Sequence, residues 1–168
     1  RVYRYDRNTQ QFALVSMIPN GMASDYFTEG LDISNDGNLV VFLVYGNGFI
    51  PGETPNRPDI VLRNIQTGQM FLVSTLSNYY VSHAIISPNS RYVAFLYLPV
   101  TGGVINPQYG FLYLYDIQAQ SAMPILSPNN TPIYVSLYNG DLYKGIDFYD
   151  NDNYVVFSSQ DSNLVPND

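Results

Sequence analysis

The sequence predicts an all-β chain built from repeated four-stranded antiparallel units. Three observations carry that prediction. One unit recurs without a gap at residues 30–42 (GLDISNDGNLVVF), 83–95 (HAIISPNSRYVAF) and 145–157 (GIDFYDNDNYVVF). A second alternates with it at residues 1–16 (RVYRYDRNTQQFALVS), 59–74 (DIVLRNIQTGQMFLVS) and 111–127 (FLYLYDIQAQSAMPILS), the last longer by one residue. Apolar residues alternate or fall in short runs rich in Val, Ile, Tyr and Phe, which is strand composition, and helical periodicity is almost absent.

Residues 1–16 supply an outer hairpin. In the unit spanning 30–74, residues 31–33 form a short strand and Asp36-Gly37 closes a tight turn, a strong hairpin signal. Residues 39–44 are a continuous apolar run, as expected of a strand buried on both faces. A loop over 46–58 leads to a strand at 59–63, a turn ending in Gly68 and a last strand at 69–74. The unit 83–127 repeats this order, with strands at 84–86, 92–98, 111–115 and 122–126. The connection after it is longer than its counterpart and holds residues 133–138 and an Asn139-Gly140 turn, read as an added strand pair. Residues 145–168 supply only an inner hairpin. The chain thus reads as one domain of two full units and two halves, twelve strands in all.

Composition narrows the function classes. The 168 residues are 46% apolar and include 16 Tyr and 9 Phe, too many for a disordered chain. Charged residues are only 12% and the net charge is −7. The few cations do not cluster, so there is no basic track for a phosphate backbone, and nucleic acid is excluded as a partner. No apolar stretch approaches membrane-spanning length, so no membrane insertion is expected. The absence of Cys excludes disulfides and thiolate chemistry. Scarce Lys and Glu beside abundant Tyr, Asn, Ser and Thr favour an extracellular, cell-surface or periplasmic setting.

A four-stranded antiparallel meander repeated every ~50–60 residues is the pattern of a β-propeller blade. The motifs resemble the TolB-like (WD-repeat-like) β-propeller repeats of bacteria. The resemblance is carried by Asp36-Gly37, Tyr92-Val93-Ala94-Phe95, Val156-Phe157-Ser158-Ser159, Ser162-Asn163-Leu164-Val165-Pro166, and Asp59 with Thr67-Gly68. It covers essentially the whole chain and implies the fold, with inner strands facing a central axis. It does not single out a function, since such propellers serve scaffolding, adhesion and regulation alike. The unit 83–127 departs from the pattern, with residues 100–108 (VTGGVINPQ) in place of Asn-Leu-Val-Pro.

About three blades' worth is present, in permuted register, and four is the usual minimum for a closed propeller. An open fan would expose strand edges and apolar faces. Three arrangements relieve this: two chains closing a six-bladed ring, many chains joined head to tail as a filament, or neighbouring blades elsewhere in a longer protein. In the first two, strand addition sets Val2, Tyr3, Tyr5, Phe12 and Leu14 against Tyr154, Val156, Phe157, Leu164 and Val165 of another copy.

No catalytic residue is assigned. His83 is the single histidine, there is no G-x-S-x-G elbow, and His83 aligns with Gly30 and Gly145 at a strand start, which favours a structural role. Asp150 and Asp152 offer oxygens that suit calcium, but they sit where an Asx-rich hairpin turn is expected in any case, so no cofactor is assigned. Glu53, Asp161 and Asp168 fall in equivalent long loops as single carboxylates, and Asn129-Asn130-Thr131 fits a glycosylation sequon. The pairs Tyr3/Tyr5, Tyr79/Tyr80 and Tyr113/Tyr115 suit either a sugar- or protein-binding face or cross-strand packing. The expected function is a non-catalytic structural or protein-interaction module that self-associates. The alternative is a piece of a larger secreted propeller, peptidase-associated or glycan-binding.

Overall fold

The computed structural model describes residues 1–18, 21, 26–46, 48–101, 103–105, 109–136, 145–162 and 164–165. All regular structure among them is β. The strands β1 (Tyr3–Asp6) and β2 (Gln11–Leu14) form a free-standing hairpin. The strands β3 (Phe27–Ile33), β4 (Leu39–Tyr45), β5 (Pro58–Asn64) and β6 (Met70–Leu72) make an antiparallel meander, the first sheet. The second sheet repeats it with β7 (Tyr80–Ile86), β8 (Tyr92–Leu98), β11 (Tyr109–Asp116) and β12 (Ser121–Pro124). A short ladder of β9 (Val100–Thr101) and β10 (Val104–Ile105) is inserted before β11. The strand β13 (Tyr134–Ser136) also belongs to the second sheet, and β14 (Ile146–Tyr149) with β15 (Tyr154–Phe157) forms a second free-standing hairpin.

The aligned residues adopt the same bonds in each copy. In the three outer hairpins, Asp6, Asn64 and Asp116 each turn a side-chain oxygen back onto two following N–H groups: Asn8 and Thr9, Gln66 and Thr67, Gln118 and Ala119. This is the Asx device that competes with continued extension and forces the turn. The fifth residue of each turn is left-handed, at Gln10 (φ 57°), Gly68 (φ 74°) and Gln120 (φ 52°). One backbone bond closes each hairpin, from Val15 N to Val2 O, Val73 N to Ile60 O and Ile125 N to Leu112 O, all 2.9 Å.

The extra residue of the third outer hairpin has a visible consequence. In the first two copies a buried serine caps the edge: Ser16 Oγ accepts from Val2 N and Ser74 Oγ from Ile60 N, both at 2.9 Å. In the third, the Leu112 N–H donates to Ile133 O instead, at 3.4 Å. The chain leaves the edge of β11 after Ile125, loops out through 126–132, and returns as β13, which pairs Tyr134 with Phe111 and Ser136 with Tyr109. The expected added strand pair is therefore one strand that prolongs β12 along the same edge. Its expected Asn139-Gly140 turn lies outside the described residues, as do 106–108 of the departing loop.

Burial explains why β4 and β8 are apolar throughout. Val40, Phe42 and Val44 face the β1–β2 hairpin in a layer with Val2, Val15, Phe49 and Val61. Val41 and Leu43, on the other face, join Ile60 and Leu62 against Val93, Phe95 and Tyr97 of the second sheet. Ala94, Leu96 and Leu112 then face Phe148, Val155 and Phe157 of the last hairpin. The order is hairpin, sheet, sheet, hairpin, with an apolar layer at each junction.

Candidate functional site

Two of the inner turns reach their neighbours at one end of the layers. The Asn35 side-chain amide donates to Pro88 O at 3.2 Å. Ser87 Oγ donates to Asp152 Oδ2 at 2.8 Å, and Asn89 N to Asp152 Oδ1 at 3.1 Å. Asp32 Oδ2 accepts from Ile86 N in the next sheet at 2.7 Å. Consecutive inner strands are thus tied to one another, and Asp152 is engaged as a bridge between turns. Asp150 takes a 3.3 Å bond from the Asn153 amide in its own turn. Among the described residues no group of three or more His, Asp or Glu side chains is placed to hold a metal.

His83 sits in a bulge of β7 at φ 47°, with Nδ1 3.0 Å from Ser82 Oγ. Burial pushes its imidazole down to about 4 from an ordinary 6.5. It is neutral at pH 7. The sign of its effect on stability follows. As pH falls below 6.5 the unfolded chain takes up this proton and the folded chain does not, so stability is lost between pH 6.5 and about 4. Replacing it by Asn, which tolerates the left-handed backbone, is expected to flatten that slope; melting temperatures from pH 7 to 4.5 would show it, and an unaltered slope would refute it.

Other carboxylates are consumed by the fold. Glu53 accepts from Gly48, Phe49 and Ile50 N–H groups and ties the loop after β4. Asp59 is buried; desolvation raises its pKa, opposed by bonds from Thr54 N (2.7 Å) and Ser74 Oγ (2.9 Å). Asp161 accepts from Tyr134 N at 2.9 Å, and Ser159 Oγ donates to Tyr134 O, so the segment after β15 is fastened to β13. Asp168 lies outside the described residues. The pairs Tyr79/Tyr80 and Tyr113/Tyr115 serve packing: Tyr79, Tyr97, Tyr113 and Phe111 make ring contacts at 4.8–5.8 Å.

The interaction residues expected at the two ends divide into two sets. Val2 is buried in the layer under β1–β2, Leu14 is half-buried, and Phe157 and Leu164 pack on the second sheet. Val2, Phe157 and Leu164 belong to the chain's own core, whereas Leu14 lies opposite Tyr3 on the outward face of the first hairpin. Tyr3, Tyr5 and Phe12 are exposed on the outward face of the first hairpin, Phe12 by 74%. Tyr5 and Phe12 stack at 4.7 Å. Tyr154 and Val156 are exposed on the outward face of the last hairpin, Val156 by 55%, and Val165 is exposed beyond it. Sequence reasoning missed Met123 (56% exposed) and the cleft of about 410 Å³ between β1 and the inner strands of the first sheet, lined by Tyr3, Tyr5, Gly30, Ile33 and Val40.

No family model matches the chain, and none of the curated proteins matches it. Among solved structures it is similar to the tricorn protease, with 10% identity and a TM-score of 0.37, covering 94% of this chain and 25% of that one. The chain therefore spans a quarter of the length of that protein. The TolB-like resemblance rests on the motifs quoted above.

Proposed function

We propose that this chain is a β-propeller segment, TolB-like in its repeats, that works without catalysis as a structural and protein-interaction module in an extracellular or cell-envelope setting. It binds further copies of itself through its half-sheets. One observation carries this reading. The β1–β2 hairpin is the outer half, and the β14–β15 hairpin the inner half, of the four-stranded unit that β3–β6 and β7–β12 complete. Each half keeps one apolar face on a neighbour and one open to solvent, as a blade does when its next neighbour is missing. The face-to-face sheets and the linked inner turns support a common axis. Propellers hold ~4–8 blades, so multiples of three leave six, the product of two copies.

The same two halves would be completed by repeats elsewhere in a longer secreted propeller, which is the rival reading. The mass of the native 168-residue particle separates the two. A dimer or polymer is expected, and Val156→Glu, at an exposed position, is expected to return it to one chain. A folded monomer at micromolar concentration overturns self-association.

A further inference from the structure

The self-association reading fixes a surface but not a pairing, and the strand ladders supply the pairing. In β1 the bond from Val15 N to Val2 O sets the alternation of the hairpin. Antiparallel ladders alternate between bonded and non-bonded pairs, so Val2 and Arg4 bond toward β2. The peptide groups of Tyr3 and Tyr5 then point away from β2, to the free edge. In β15 the bond from Ser158 N to Gly145 O sets the same alternation, which directs Val156 and Tyr154 toward β14. The peptide groups of Val155 and Phe157 are left on the free edge. Two free edges of this kind match only if the open groups meet.

The complete sheets show how they meet. The strand aligned with β15 is β4 in the first sheet and β8 in the second; the strand aligned with β1 is β5 and β11. Leu39 of β4 lies opposite Asn64 of β5, and Tyr92 of β8 lies opposite Asp116 of β11, which are the same aligned positions. The bonds from Ile65 N to Asn38 O and from Ile117 N to Arg91 O place the bonded pairs at Val40–Arg63 and Val93–Tyr115. Their equivalents are Val155 with Tyr5, the open groups identified above.

We propose that the cleft beside β1 seats the β14–β15 hairpin of a second copy of this chain, with Tyr154 opposite Asp6, Val155 opposite Tyr5, Val156 opposite Arg4 and Phe157 opposite Tyr3. The exposed side chains then find partners on both sides. Tyr154 and Val156 align with Leu39 and Val41, which face the next sheet, so in the assembly they cover Val40 and Ile33 along the cleft. Tyr3, Tyr5 and Phe12 align with Val61, Arg63 and Met70, which face the preceding layer. They come to lie over Leu114 and the exposed Met123 of the copy that donates the hairpin. One junction thus covers seven of the exposed large apolar side chains, Ile33 and Met123 included.

The chain has no cysteine, so introduced thiols report this contact alone. Arg4 and Val156 form a non-bonded pair, whose Cα separation of ~4.5 Å suits a disulfide. Mixing Arg4→Cys chains with Val156→Cys chains under mild oxidation is expected to give linked dimers at least ~10-fold faster than mixing Asp6→Cys with Val156→Cys, whose Cα atoms would stand too far apart. Arg4 also donates to Gly37 O, so amide exchange on the unsubstituted chain provides a second readout. Tyr3, Tyr5, Val155 and Phe157 N–H groups are expected to be slow in the particle and fast in the Val156→Glu monomer. A multimeric particle in which Asp6→Cys links as fast, or in which these four amides stay fast, overturns this pairing and leaves self-association standing. A monomeric particle overturns both and leaves the cleft to a repeat of a longer polypeptide.

Discussion

Phe95→Ala is expected to destabilise the chain by about 3–5 kcal/mol, the range for truncating a fully buried aromatic, whereas Phe157→Ala at the aligned position is expected to cost less than half as much in the single chain. The three phenylalanines that close the inner repeats each face the layer before them: Phe42 toward the first hairpin, Phe95 toward the first sheet, Phe157 toward the second. Phe42 and Phe95 are fully buried, and Phe95 packs its ring 5.0 Å from Tyr97 and 5.9 Å from Tyr113. Phe157 is half-buried, on a hairpin of two strands. Equilibrium unfolding by denaturant, with the midpoint compared at constant m-value, measures both. Equal losses at the two positions would mean that the repeats are not in equivalent surroundings. The contrast should also shrink in the assembled particle, where Phe157 gains Tyr3 across the ladder.

Much of the fold was legible because the repeats state it three times in different residues. Asp6, Asn64 and Asp116 are unlike in charge but share the side-chain oxygen that closes a turn. The run 39–44 is apolar on both faces because both faces are covered. The inner strands were foreshortened in the sequence. Strand β3 begins at Phe27 and β7 at Tyr80, where residues 31 and 84 were expected, because Thr28-Glu29-Gly30 and Ser82-His83 carry no strand-like side-chain pattern. Backbone pairing to Leu43–Tyr45 and Leu96–Leu98, across a bulge in each sheet, holds them extended. At Gly30 the first hairpin comes so close that an added Cβ would lie 3.3 Å from Val2 Cγ1, which is a tertiary constraint no local pattern encodes.

The candidate surface was legible in outline and not in detail for a similar reason. Alternation along β1 and β15 identifies which side chains share a face, but which face is already covered depends on the neighbouring sheet. So Val2 and Phe157, which looked like interface residues, belong to the core, while Met123 at the rim of the second sheet escaped notice. The excursion through 126–132 was equally hidden. One added residue before Ser127 removes that serine from the capping position that Ser16 and Ser74 hold, and the Leu112 N–H is satisfied by a carbonyl from beyond the loop.

Arg63→Leu is expected to loosen the first hairpin selectively. Among the described residues that hairpin pairs with no other strand, so it is held by the side chains beneath it and by a few polar ties. Arg63 is only 8% exposed, and its Nη1 donates to Val15 O at 2.9 Å and Met17 O at 3.2 Å, on the chain just past β2. Burial holds its guanidinium below its ordinary pKa, which measures the desolvation that those two bonds offset. Bonds from a charged donor contribute roughly 1.5–3 kcal/mol each, and leucine recovers part of the loss as apolar contact, so a net cost of about 2–3 kcal/mol is expected. The spatial pattern of the loss decides the case. Amides of β1 and β2 should exchange faster while those of β4 and β8, deep in the layers, keep their protection, the behaviour of a separately opening unit. Loss spread evenly over both sheets would show that the hairpin is not independent. Because β1 forms one wall of the cleft, the same substitution should also weaken association of the chains, although position 63 lies outside the contact itself.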